Sequence, residues 1–183
     1  MTKNQLLVLT VIGLVGIFGC KEKKPSEDII TVREEIPAPS GPVRMQSFNN
    51  QRVIQWLGKE YHVEITRTAD DSLRMVTDET GQKYVDNRVS LIIRRADGSV
   101  AIQKKFLKSV FEAYIDQEYK KGGVLEGLVF DKVNGQHLEF AASISLPQTD
   151  EYIPLNVKID NFGNVTIERD SQMDTNGETA DDD

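Results

Sequence analysis

One cysteine, two histidines and one tryptophan are all that 183 residues hold of those side chains. A lone thiol excludes an internal disulfide, and it excludes a metal site built from several cysteines. The two histidines, His62 and His137, stand alone, with no HExxH pair or other repeat at ligand spacing. Basic charge is also short: 22 Lys and Arg stand against 29 Asp and Glu, for a formal charge of −7. The basic stripe that supplies most nucleic-acid affinity is missing, so a nucleic-acid partner is not expected. The chain has no GxSxG elbow, no GxxxxGK[ST] phosphate loop and no D-x-[DN]-x-[DN]-G calcium loop. No cofactor and no catalytic group are therefore assigned.

What is present begins at the N-terminus, MTKNQLLVLTVIGLVGIFGC. Thr2-Lys3-Asn4 is a short polar segment with one positive charge. Leu6 to Phe18 is apolar apart from Thr10, Gly13 and Gly16, and ends at the only cysteine. The run is too short to cross a bilayer as a helix, which needs about 20 apolar residues. It has the length of a signal-peptide core. Ile17-Phe18-Gly19-Cys20 resembles a lipobox, with Phe18 departing from the small residue usual at that position. On this reading residues 1–19 are a lipoprotein signal peptide and Cys20 carries the lipid. The protein's first partner is then the membrane, through several acyl chains that each contribute about 0.8 kcal/mol per buried CH₂. Loss of the signal peptide removes Lys3 and leaves 21 basic side chains against 29 acidic ones, a charge of −8.

Residues 20–50 read as a lipidated tether. KEKKPSED is followed by EEIPAPSGP, with Pro25, Pro37, Pro39 and Pro42 in quick succession and few apolar residues. Such segments stay extended and do not bury enough surface to fold. About 30 residues span roughly 100 Å at most. Lys21 stands where inner-membrane lipoproteins carry a retaining aspartate. This points to the outer membrane, with the domain facing either the periplasm or the cell surface.

Residues 51–170 carry the folded domain. Tyr61–Thr68 alternates, with Tyr61, Val63 and Ile65 on one face and His62, Glu64 and Thr66 on the other. Arg88–Arg95 and Val100–Lys105 flank Asp97-Gly98, a hairpin turn whose residues accept positive φ. Leu107, Val110, Phe111, Tyr114 and Ile115 fall at helical spacing, with Lys108, Glu112, Asp116 and Lys120 opposite, and Gly122-Gly123 ends the pattern. Val124–Lys132 and Gln136–Leu146 surround Asn134-Gly135, and Tyr152–Asp160 and Val165–Arg169 follow. The sum predicts an α+β domain: a curved antiparallel sheet of about eight strands packed against one long helix. A partly open barrel and a sandwich are the alternative closures. Residues 171–183 read as a disordered acidic tail.

The candidate binding residues are few. Arg94, Arg95, Lys104 and Lys105 lie on the two arms of the Asp97-Gly98 hairpin, with Lys108, Lys120 and Lys121 nearby in sequence, and form a local basic cluster. Such a cluster can meet an anionic glycan, a lipid headgroup or a partner surface, or simply guard a strand edge. Trp56 and Tyr119 can line a ligand groove or pack into the core. Asp70, Asp71, Asp78, Glu79 and Asp86 form an acidic interval where turns favour aspartate.

Anchor, tether and the run NRVSLIIRRADGSVAIQKKFLKSVFEAYI together resemble small uncharacterised lipoproteins of Bacteroidota, from a family of domains of unknown function. The resemblance implies a cell-envelope location and transfers no catalytic residue. The expected function is a non-catalytic binding or interaction domain whose partner is an envelope protein or glycan. An envelope hydrolase of glycan or peptide, built around His62 or His137, is one alternative. A structural assembly factor of an envelope complex is the other.

Overall fold

A computed structural model describes residues 41–170. The expected signal peptide, the expected lipidation site Cys20, most of the expected tether and the expected acidic tail lie outside the described residues. Among the described residues ten strands form three antiparallel sheets, and the helical content is one 3-10 segment and one short α-helix. The expectation of one sheet packed on a long helix is thus corrected: among the described residues the fold is mostly β and has no long helix.

The first sheet has the order β1-β2-β5-β6, formed by β1 (Phe48–Trp56), β2 (Lys59–Ala69), β5 (Asn87–Arg95) and β6 (Val100–Phe106). The second has the order β10-β9-β8-β7, formed by β7 (Val124–Asn134), β8 (His137–Ser145), β9 (Tyr152–Asp160) and β10 (Val165–Arg169). A two-stranded sheet of β3 (Val76–Thr77) and β4 (Lys83–Tyr84) sits in the connection between β2 and β5. Val43 extends it, bridging to Tyr84 and exchanging backbone hydrogen bonds with Lys83 and Val85.

Alternation decides the packing. Val63 and Ile65 of β2, Val89, Leu91 and Ile93 of β5, and Ile102 and Phe106 of β6 are buried on one face of the first sheet. Leu138, Phe140, Ala142 and Ile144 of β8 and Ile153, Leu155, Val157 and Ile159 of β9 are buried on one face of the second. All belong to one continuous apolar cluster, so the two sheets stack face to face as a sandwich around a shared core. Neighbouring strands in each sheet are antiparallel; short links join them except between β2 and β5, where the β3-β4 excursion intervenes. Gly98 and Gly135 take the positive φ that those two turns require.

The expected helix breaks in two for a local reason. Lys108–Tyr114 winds as a 3-10 segment, and Ile115 and Asp116 are extended. Only Gln117–Gly122, here α1, is α-helical. Three residues per turn put Lys108 and Phe111 on the same inner face and Val110 toward solvent; Tyr114 shares their phase but ends the segment and is exposed. Ile115 reaches the core by its extended backbone instead of by helical phase. Gly123 ends α1 with its N–H donating to the Tyr119 carbonyl. A Cβ there would lie 2.7 Å from that oxygen and 2.8 Å from Ile144 Cγ2, so no larger residue fits without movement.

Candidate functional site

The sequence around Asp86 reads as loop, yet the side chain is only 4% exposed. Its surroundings explain why. Asp86 Oδ1 accepts the backbone N–H of Leu125 at 2.8 Å and that of Asn87 at 2.8 Å. Asn87, fully buried, donates from Nδ2 to the Leu125 carbonyl at 2.9 Å and to Met45 Sδ at 3.1 Å. Both backbone groups of Leu125 are therefore held by side chains from the start of β5. Leu125 sits beside a register shift in β7, where the ladder to β8 is interrupted. The pair Asp86-Asn87 acts as a clamp from the first sheet to the edge of the second.

Lys108 completes the cluster. Its Nζ donates to the Gly123 carbonyl at 2.6 Å and lies 3.9 Å from Asp86 Oδ2. The 3-10 winding of Lys108–Tyr114 turns this side chain inward, and its side chain is 11% exposed. Burial pushes the Asp86 carboxyl above the usual carboxylate range, against the two backbone hydrogen bonds and the Lys108 charge. Burial likewise pulls the Lys108 ammonium below the usual lysine range, against the attraction of Asp86 and Glu112, with the Arg74 charge adding to the fall. A desolvated pair of perturbed groups facing a cleft is the physical mark of a functional site.

The cleft itself has a volume of about 330 Å³. Asp86 and Lys108 line it, and Arg74, Glu112, Lys120 and Lys121 complete its charged wall. Four separate connectors supply these groups: the segment before β3, the link from β4 to β5, the 3-10 segment and α1.

The sequence-predicted residues are placed elsewhere. A register shift sets Arg94 opposite Val100, while Lys104 and Lys105 lie opposite Leu91 and Ser90, further along the strand. Arg94 and Lys105 share the outer face, and Arg95 and Lys104 have the opposite phase, so the four cations do not converge. The Arg94 and Arg95 guanidiniums are engaged by their own turn, at the Gly98 carbonyl and at Ser99 and the Val100 carbonyl. Trp56 is 2% exposed and packs edge-on against Tyr61. Tyr119 is half-buried against the core. His62 is exposed and lies 3.3 Å from Glu60, two residues along the same strand, in an open hollow shared with Glu64 and Arg94. His137 is exposed beside the Asn134-Gly135 turn. Of the acidic interval, Asp70 pairs with Arg88, Asp71 with Arg44, and Asp78 accepts from Thr80, Gln82 and Tyr84. Among the described residues, no three of His, Cys, Asp and Glu gather as a metal group.

Asp86, Asn87, Lys108 and Arg74 were not predicted as site residues. Asn87 did carry a signal, since it shares strand phase with Val89, Leu91 and Ile93. Lys108, like Lys120 and Lys121, was visible only as a basic residue near the hairpin, and helical spacing assigned it to the solvent face.

Among the described residues the architecture defines the class: an antiparallel β fold of two four-stranded sheets and a small two-stranded one, with a charged cleft among its connectors. Within that class the chain belongs to the DUF4738 family, a domain of unknown function, whose model matches residues 28–167. No curated protein matches the chain.

Proposed function

We propose that this protein is a lipid-anchored binding module of a bacterial cell envelope, of the small Bacteroidota lipoprotein kind. It is held at Cys20 in the outer membrane and presents its domain to the periplasm or the cell surface. The carrying observation is the coincidence, in one stretch of sequence, of an apolar run, a small residue and the only cysteine of the chain. The sandwich supports a surface mode of binding, because the facing sides of both sheets are occupied by their own core residues. A partner would then meet the outside of the domain, and the charged cleft among the connectors is its best-prepared feature. The class of partner is an envelope protein or glycan.

The test is metabolic labelling with an alkyne fatty acid, followed by fractionation. Wild-type protein takes the label and sediments with outer membrane, whereas Cys20→Ala loses both the label and the membrane association. An unlabelled wild-type protein, or a Cys20→Ala variant that still takes the label, would overturn the anchor.

A further inference from the structure

Most cations of the domain that meet a partner meet an acidic one. Arg44 pairs with Asp71, Arg88 with Asp70, Lys132 with Glu139 and Asp131, Lys158 with Glu168, and Arg169 with Asp116. The cleft departs from this pattern. Four cations line it, Arg74, Lys108, Lys120 and Lys121, against two carboxylates, Asp86 and Glu112. Among the described residues, no ion pair and no side-chain hydrogen bond uses the side chains of Arg74, Lys120 or Lys121; the backbone N–H of Lys120 donates to the Asp116 carbonyl. Asp86 is already committed to two backbone N–H groups through one oxygen.

Like charges are held together here at a cost. Arg74 stands close enough to Lys108 for its charge to oppose protonation of that amine, which burial already disfavours. Lys108 has three N–H donors. One serves the Gly123 carbonyl, and Asp86 lies at 3.9 Å, the edge of ion-pair range. A chain of net charge −7 that keeps an excess of two positive charges around one concave wall has a local field opposite to its overall one.

We propose that this cleft binds a phosphate group, with Lys108 at its floor, the Arg74 guanidinium as the planar two-point donor, and Lys120 and Lys121 closing the rim. A dianion matches the two-charge excess, which a monocarboxylate would leave half balanced. A guanidinium fits phosphate oxygens in a fork, and the ammonium groups serve as point charges. A volume of about 330 Å³ admits a phosphate with a small organic body. The phosphate can belong to a soluble ester or to a lipid headgroup. The proposal rests on reading the protein as a binding module, and it specifies the chemistry of one site on it.

The experiment is an amide NMR titration of the full-length protein in maltoside micelles, which contain no phosphate. Inorganic phosphate and glycerol 3-phosphate are added in turn, each compared with acetate at matched ionic strength. In a third arm phosphatidic acid is mixed into the micelle. Saturable shifts of Arg74, Lys108 and Gly123 with phosphate, not with acetate, are expected. Arg74→Gln and the pair Lys120→Gln with Lys121→Gln should each weaken binding roughly tenfold, the scale of one charge-assisted hydrogen bond. These three side chains make no internal ion pair, so thermal melts should show the variants folded. A response to glycerol 3-phosphate identifies a soluble ester as sufficient, and a response to phosphatidic acid alone identifies the headgroup. No saturable shift in any arm, an equal response to acetate, or unchanged affinity in the rim variants would overturn the site. Anchoring is scored separately through Cys20, so loss of phosphate binding with intact labelling rejects the cleft and leaves the anchor standing.

Discussion

Replacing Asp86 by alanine tests whether the buried polar clamp joins the two sheets. Asp86 Oδ1 holds two backbone N–H groups, those of Leu125 and Asn87, in a residue that is only 4% exposed. Hydrogen bonds to a charged acceptor are worth about 1.5–3 kcal/mol each, and the orphaned donors would keep their desolvation cost. The Lys108 ammonium would also lose the carboxylate oxygen within ion-pair range, at 3.9 Å. Breaking a buried pair by removing one partner costs about 3–5 kcal/mol. These effects overlap, so the expected loss is about 4 kcal/mol in total. That is a large part of the roughly 5–15 kcal/mol that holds a domain folded.

Urea denaturation reads this directly. With a slope of about 2 kcal/mol/M, the midpoint of Asp86→Ala should fall by about 2 M. A double-mutant cycle with Lys108→Met separates the ion pair from the backbone clamp. The double variant should be less destabilised than the sum of the singles by about 1 kcal/mol, because Lys108 is no longer left unpaired. A loss below about 1 kcal/mol in Asp86→Ala would refute the clamp, and strict additivity would refute the pair.

Phe111→Ala should cost about 3–5 kcal/mol, and Val110→Ala less than about 0.5 kcal/mol, in the same urea assay. A continuous amphipathic helix would make both expensive, so equal losses would contradict the 3-10 winding. Gly123→Ala should cost about 1–3 kcal/mol by driving its Cβ toward Tyr119 and Ile144, read as a lower Tm. Acid should destabilise the domain, because side-chain hydrogen bonds from Ser72, Thr80, Ser99 and Asn164 hold Asp70, Asp78, Asp97 and Asp160 below the usual carboxylate range. The unfolded chain binds the extra protons first, so stability is lost as pH falls below about 4 and through those folded values. Asp86 works the other way: raised by burial, it is protonated in the folded state first, which adds stability as pH falls from its folded value toward about 4. Asp86→Asn lacks that gain, and its urea midpoint should drop more steeply than wild type between pH 7 and pH 4.

Strand positions and turns were legible because each obeys a local rule. Leu138, Phe140, Ala142 and Ile144 alternate, and Asn134-Gly135 supplies a positive φ, whatever surrounds them. The number of sheets was not legible. Alternation says that one face is buried, not which surface buries it, and two consecutive antiparallel sheets read like one longer sheet. The helix failed for a different reason. Leu107 to Ile115 satisfies helical spacing, but Lys108 is hooked to the Gly123 carbonyl and Phe111 must share its face, so tertiary contacts impose a tighter winding. The basic residues of β5 and β6 were visible as a cluster in sequence and were dispersed by parity and by one register shift.

The cleft was illegible on principle, and the reason bears on where function sits in this fold. Strand periodicity places residues on faces, and in this sandwich the inner faces are spent on the core. Arg74, Lys108 and Lys120 come from three connectors, which carry no common period, and only the closing of the two sheets brings them to one wall. The clamp that closes the sheets and the floor of the cleft share Asp86 and Lys108. Stability and the local field are therefore coupled. A change at Asp86 should disturb both, whereas a change at Arg74 or Lys120 should move the field alone. The contrast between those two kinds of variant tells a binding site from a buried polar contact that only happens to face a hollow.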